Sequence, residues 1–165
     1  MSLLKFIDAA KSRGWHHEES GARSDTGGWT PNPNAITWGR GHYPTLVRGA
    51  VRVAIENIDL YYHDGRAWRG DPHVQPDDRV TLAAIIVDGE SRRQGLATAA
   101  MKDLQAIAAS LGMEINLEAC PMGAFKAKGH RTVTMGRLIK WYKSLGFRPA
   151  WPGQGETILV WRATR

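Results

Sequence analysis

The stretch Asp88-Gly89-Glu90-Ser91-Arg92-Arg93-Gln94-Gly95-Leu96-Ala97-Thr98 carries the residue types that an anion site needs. Before it lies a continuous apolar run, Thr81-Leu82-Ala83-Ala84-Ile85-Ile86-Val87. After it, Ala97, Ala100, Met101, Leu104, Ile107, Ala108 and Leu111 recur at intervals of three and four. The pattern predicts a buried strand, a short turn and a helix that starts at once and stops at Gly112. The first turn of such a helix has unpaired N–H groups and the positive end of the dipole, and Gly95 lets an anion come close to the backbone. Arg92 and Arg93 add fixed positive charge. The chain has no G-x-x-x-x-G-K-[ST] and no G-x-G-x-x-G, which argues against a nucleotide triphosphatase and a dinucleotide fold. The bland alternative is a plain connection with nothing bound.

Other reactive side chains are fewer. Tyr142 lies in Trp141-Tyr142-Lys143-Ser144-Leu145-Gly146-Phe147, where a phenol can donate a proton without being ionised at neutral pH. Glu118, between Leu117 and Ala119, is expected on a buried strand, where desolvation raises a carboxyl pKa and suits it to act as a base. A glutamate at a strand edge paired with a nearby cation is the competing reading, and Asp88, Glu56 and His130 are further candidate bases. Cys120 lacks a base and an orienting group nearby and is expected to be a small buried residue. His16-His17-Glu18-Glu19 lacks the H-E-x-x-H spacing, so no metal is expected. Trp29 and Trp38 either shape an acceptor pocket or anchor their own loop.

These residues need elements to hold them. Leu3, Leu4, Phe6, Ile7 and Ala10 predict a short helix ending near Gly14. Residues 20–44, rich in Gly, Pro, Asn, Ser and Thr, read as a long loop given partial order by its tryptophans. Val47, Val51, Val53, Ile55, Ile58, Leu60 and Tyr62 suggest strands, with a turn at Asp64-Gly65, a return at Ala67-Trp68 and a polar loop from Asp71 to Asp78. Ile115 to Ala119 is strand-like. Leu138, Trp141, Tyr142 and Leu145 form a second helical stripe, and two closing strands flank the turn at residues 152–155. The order strand, helix, strand, helix, strand reads as α/β, and residues 1–165 as a single domain.

The 165 residues, 42% hydrophobic and 23% charged, suit one soluble domain. No membrane-length apolar run and no secretory signal are seen, and a single cysteine gives neither an internal disulfide nor a structural zinc set. A cytoplasmic protein is the expectation. The net charge of +6 comes from the second half. Between Glu118 and Glu156 there is no acid, but seven bases: Lys126, Lys128, Arg131, Arg137, Lys140, Lys143 and Arg148. The 119–155 stretch therefore attracts a polyanion or forms a solvated basic face.

Arg92-Arg93-Gln94-Gly95-Leu96-Ala97 fits the [RQ]-x-x-G-x-[GA] pattern of the GNAT superfamily of acyl-CoA-dependent N-acyltransferases, between the strand and helix where that family has it. Trp141 to Phe147 resembles the family's tyrosine helix ending in Leu-Gly-Phe. The resemblance covers about residues 80 to 150 and implies a GNAT-like fold, a mixed central sheet flanked by helices. It further implies that acetyl-CoA is the co-substrate and that an amine attacks its thioester directly. The pyrophosphate would be held by Arg92, Arg93, Gln94, Gly95, Leu96, Ala97 and Thr98, with Ile86 and Val87 beside the pantetheine. By the same resemblance Tyr142 is the general acid for the departing thiolate, and Glu118 matches a position where some members keep their base. The sequence departs from the family between Glu118 and Tyr142, where 23 residues intervene and the usual asparagine before the tyrosine helix is missing. Residues 121–134, with Lys126, Lys128, His130 and Arg131, could clamp the adenosine 3′-phosphate, bind an acidic acceptor or be a solvated loop. The acceptor amine is a small molecule or a protein, and the chain a monomer or homodimer. The rival reading is a basic nucleic-acid-binding or anti-defence module with little or no acetyl transfer.

Overall fold

The computed structural model describes residues 2–23, 26, 29–32, 36–38, 41–56, 78–121, 133–150 and 157–163. Helix α1 (Ser2–Ser12) buries Phe6, Ile7 and Ala10, whose spacing puts them on one side. The chain then enters β1 (His16–Glu18). Two small antiparallel hairpins follow, β2 (Gly21–Arg23) with β3 (Trp29–Pro31) and β4 (Ile36–Trp38) with β5 (Gly41–Tyr43). The long loop expected at residues 20–44 is thus corrected to paired strands. Each is only three residues long, too short for alternation to show in the sequence, and the turn-forming residues around them mask the pattern.

Strands β6 (Thr45–Arg48) and β7 (Val51–Glu56) form a hairpin closed by Arg48 opposite Val51. Its two-residue turn needs a left-handed residue, which Gly49 supplies at φ +57°. The strand residues expected at Ile58, Leu60 and Tyr62, the Asp64-Gly65 turn, Ala67-Trp68 and residues 71–77 lie outside the described residues. The second half runs β8 (Arg79–Val87), a 3-10 turn (Gly89–Ser91), α2 (Leu96–Leu111), β9 (Glu114–Glu118), α3 (Met135–Ser144), β10 (Arg148–Pro149) and β11 (Ile158–Trp161).

Among the described residues, seven strands make one mixed sheet in the order β1-β6-β7-β8-β9-β11-β10. Among the described residues only β8 and β9 run parallel, and α2 is the crossover such a pair requires. This is the α/β architecture expected from the sequence, a mixed central sheet flanked by helices. Phe6, Leu46, Val53, Leu82, Met101, Leu104, Ile115 and Phe147 join the helices to one face of the sheet in a single buried cluster. Opposite it, Ala54 and Ala84 pack with Tyr43, Ala83 and Ile86. At one end of the parallel pair the interior is polar: the Thr81 hydroxyl bonds Asn116 Oδ1 at 2.5 Å, and Glu114 lies between Arg79 and Arg162.

Asp103 ties α2 to the first half. Its carboxylate accepts hydrogen bonds from Arg13 Nε (2.9 Å), Trp15 Nε1 (2.7 Å) and Arg48 (2.7 Å), and the Arg48 guanidinium stacks 4.6 Å from the centre of the Trp15 ring. Burial alone would raise the Asp103 pKa, but the bonds from Arg13 and Trp15 and the charges of Arg48 and Arg13 together hold it below its ordinary value. A carboxyl depressed in the folded state adds stability above its unfolded pKa, and that stability is lost as pH falls through the folded one. Asp103→Asn is therefore expected to lower stability at pH 7 by about 1–2 kcal/mol, since two of its partners are themselves part-exposed. Urea unfolding should also show a flatter pH dependence below about pH 4 than in the wild type. Equal stability at pH 7 would show that the arginines and Trp15 do not depend on this charge.

Candidate functional site

The site is built on a change of partner along β8. Beside β7, Ala54 opposes Ala84 but Ile55 opposes Leu82, which makes Ala83 an extra, bulged residue. Up to Leu82 the residues facing the helices are even-numbered, Val80 and Leu82; after the bulge they are Ile85 and Val87, while Ala84 and Ile86 turn to the other face. Beside β9, β8 is paired only from Arg79 to Leu82, against Glu114 to Leu117. Among the described residues, then, no strand pairs with the β9-facing edge of β8 beyond Leu82. Backbone donors and acceptors on such an edge can bond an extended chain carrying amides. Arg92 caps the end of this edge, its Nε donating to the Val87 carbonyl at 3.1 Å.

The open edge leads into the turn before α2. Arg92 is extended (φ −67°, ψ 156°), Arg93 is left-handed at φ +64°, and Gly95, the N-cap, is left-handed at φ +74°. A non-glycine residue held in this region costs on the order of 1–2 kcal/mol, so the left-handed Arg93 is a place where the fold imposes a shape on the chain. Arg92, Arg93, Gln94 and Gly95 are all exposed. The helix has no side-chain cap, and its first i→i−4 bond runs from the Ala99 N–H to the Gly95 carbonyl at 3.0 Å. The preceding N–H groups, those of Leu96, Ala97 and Thr98, have no carbonyl one turn back within the helix. They and the two arginines converge on one end of α2.

Helix α3 is capped by the Thr134 hydroxyl, which accepts from the Arg137 N–H at 3.4 Å, and is fastened to α2 at two points. Trp141 Nε1 donates to Thr98 Oγ1 at 3.0 Å, and Gln105 Nε2 to the Leu145 carbonyl at 2.7 Å. Both helices advance in the same sense between these points, so their N-terminal ends point the same way. Tyr142 is only 7% exposed. Its ring centre lies 4.7 Å from that of Trp141 and 5.5 Å from that of Phe147, the latter edge-on. Burial pushes its phenol well above the ordinary value, so the group stays protonated across neutral pH.

Two expectations are corrected. Glu118 is exposed rather than buried as expected: it is the outward-facing residue between Leu117 and Ala119, each 1% exposed. Cys120 is exposed rather than buried because the chain has already left the sheet. Asp88 is also exposed. Lys126, Lys128, His130 and Arg131 lie outside the described residues, as do residues 152–155. Sequence reasoning did not find the bulge at Ala83 or the bond from Trp141 to Thr98. The bulge leaves no signature in a run of apolar residues, whereas Trp141, the one indole on its helical stripe, is a signal that could have been followed.

No protein-family model and no curated protein matches the chain. Among solved structures, it is similar to the anti-CRISPR protein AcrVA5, at 17% identity over 90% of this chain and 98% of that one, with a TM-score of 0.44. It is similar to AtaT complexed with acetyl-methionyl-tRNAfMet, at 17% identity over 73% and 70% of the two chains and a TM-score of 0.42. A third is a GNAT family N-acetyltransferase (YhbS) from Escherichia coli in complex with CoA, at 16% identity, 98% and 67% coverage and a TM-score of 0.36.

A Cβ built on Gly95 meets nothing within 4 Å, so the cost of a side chain there is conformational rather than steric. Gly95→Ala should lower the stability of the protein by about 1–2 kcal/mol in urea unfolding. No loss would mean that the turn does not need its left-handed residue.

Proposed function

We propose that this protein is an acetyl-CoA-dependent N-acetyltransferase that moves an acetyl group from the thioester to a primary amine. The observation that carries the proposal is the edge of β8 beyond Leu82, unpaired among the described residues, running into a helix N-terminus without a side-chain cap and flanked by Arg92 and Arg93. That combination suits one ligand with two unlike parts: an extended amide-bearing arm and a strongly anionic end. The arm would lie along Ala83 to Val87, with Ile86 and Val87 beside it. The anionic end would be held by Arg92 and Arg93 and by the backbone N–H groups from Gln94 to Thr98.

Bound acetyl-CoA supplies an acyl group already activated as a thioester. The chain's own residues would handle two protons. Tyr142 is our assignment for the donor to the departing sulfur. Its raised pKa opposes early release of the proton, and the same dry surroundings make a thiolate beside it more basic, which keeps the two groups matched. Glu118 is our assignment for the acceptor of the amine's proton, and its exposure at the end of β9 allows water to carry that proton.

Calorimetric titration with acetyl-CoA, with free CoA and ATP as controls, tests the reading. One-to-one micromolar binding selective over ATP is expected; no binding of acetyl-CoA or CoA overturns it. Tyr142→Phe should lower turnover by roughly ten- to a thousandfold with little change in acetyl-CoA affinity. Unchanged turnover would remove Tyr142 from the chemistry.

A second reading is favoured by the exposure of Arg137, Lys140 and Arg148, within a stretch free of acids. In it, that basic surface contacts nucleic acid, with or without acetyl transfer. Binding to random duplex DNA should then weaken steeply with salt, with a log–log slope reflecting several phosphate contacts. Absence of binding at low salt would dispose of it.

A further inference from the structure

Thr98 differs from the other helical hydroxyls whose bonds the structure shows. Ser12 donates to the Asp8 carbonyl at 3.0 Å, Ser110 to that of Ile107 at 2.7 Å and Ser144 to that of Trp141 at 2.6 Å. Each returns its proton to the backbone of its own helix, the usual behaviour of serine and threonine within a helix. Thr98 Oγ1 instead accepts a hydrogen bond, from Trp141 Nε1 at 3.0 Å, and no described residue accepts its proton.

An indole N–H can only donate, so the direction of this bond is fixed by chemistry. It occupies a lone pair of Thr98 Oγ1 and leaves the hydroxyl hydrogen for another acceptor. Thr98 is the third residue of α2, and side chains on a helix tilt towards its N-terminus. Its oxygen therefore leans to the end where the backbone N–H groups, Arg92 and Arg93 converge. A hydroxyl that already accepts one hydrogen bond is also polarised into a better donor.

We propose that Trp141 is a positioning residue that sets Thr98 as a side-chain donor to the phosphate end of the coenzyme. This rests on the acetyl-CoA reading above and deepens it. The consequence is a direct link between the two halves of the site: one bond fixes both the donor at the anion end of α2 and the helix that carries Tyr142.

The test is a double-mutant cycle on acetyl-CoA affinity, measured by calorimetry. Trp141→Phe keeps a ring against Tyr142 but removes the N–H, and Thr98→Val keeps the shape of the side chain but removes the hydroxyl. Each is expected to weaken binding by roughly three- to thirtyfold, the size of one hydrogen bond to a charged group and its orientation. The double variant should bind no more weakly than the poorer single one, because both changes remove the same interaction. Thr98→Ser should stay within about twofold of the wild type, a rescue that a role in packing alone would not give. Losses that multiply in the double variant, or a Thr98→Ser as weak as Thr98→Val, would overturn the inference while wild-type binding kept the acetyl-CoA reading intact. A wild-type protein that binds no acetyl-CoA would overturn both. Should Trp141→Phe fail to fold, Thr98→Val against Thr98→Ser decides the question alone, since the first keeps the shape without the hydroxyl and the second keeps the hydroxyl without the methyl.

Discussion

Ala83 is the residue at which β8 gains one position on β7, and past it the pairing with β9 has ended. Strand β9 ends at Glu118, one residue past its last pair with β8, while β8 runs on to Val87, so the edge beyond Leu82 has no described partner. The opening does not spread back along the pair, because its other end is held by buried polar contacts. Thr81 bonds Asn116, and Glu114, 2% exposed, lies between Arg79 and Arg162. Separating those strands would strand buried charge and buried hydrogen-bonding groups, each costing on the order of 1–3 kcal/mol or more. One end of the parallel pair is thus locked by polar contacts, and the other parts company at a bulge.

The helix that follows has to be held firmly for an open edge and a helix end to act as one site. Helix α2 is held from two sides. Asp103 and Gln105 are two residues apart, which puts them about 200° apart around the helix. Asp103 reaches Arg13, just past the end of α1, Trp15, just before β1, and Arg48 of β6. Gln105 reaches the end of α3, and Thr98, two turns earlier on much the same face, reaches Trp141. With its flanks tied in this way and its interior face packed on the sheet, α2 presents its N-terminus as a fixed group of donors. The left-handed Arg93 and Gly95 complete the approach by bending the chain sharply enough to expose those donors.

Tyr142 shows how the same packing sets chemistry. It belongs to the apolar cluster between Trp141 and Phe147, and the loss of water there raises its pKa. Glu118, on the strand next to β8, is in the opposite condition: exposed, with water around it.

Much of this was legible from residue order alone, for reasons that are local. A central strand reveals itself by a continuous apolar run, as at 81–87, and a helix by apolar spacing of three and four, as in 97–111 with Gly112 after it. The turn at 92–98 and the helix carrying Tyr142 were legible because their patterns lie within a few neighbouring residues of the chain. The hairpins at residues 21–43 were not legible, since three-residue strands are too short to show a period. The exposure of Glu118, between the buried Leu117 and Ala119, was also hidden, because which face of a strand is covered depends on what packs over it. Only the tertiary structure decided the bulge at Ala83, the join of Asp103 to residues some 90 positions away, and the bond from Trp141 to Thr98. Residue order determines patterns that repeat within a turn or a strand; which donors meet which acceptors across the fold is set by how those elements pack, a choice made between residues far apart in the chain.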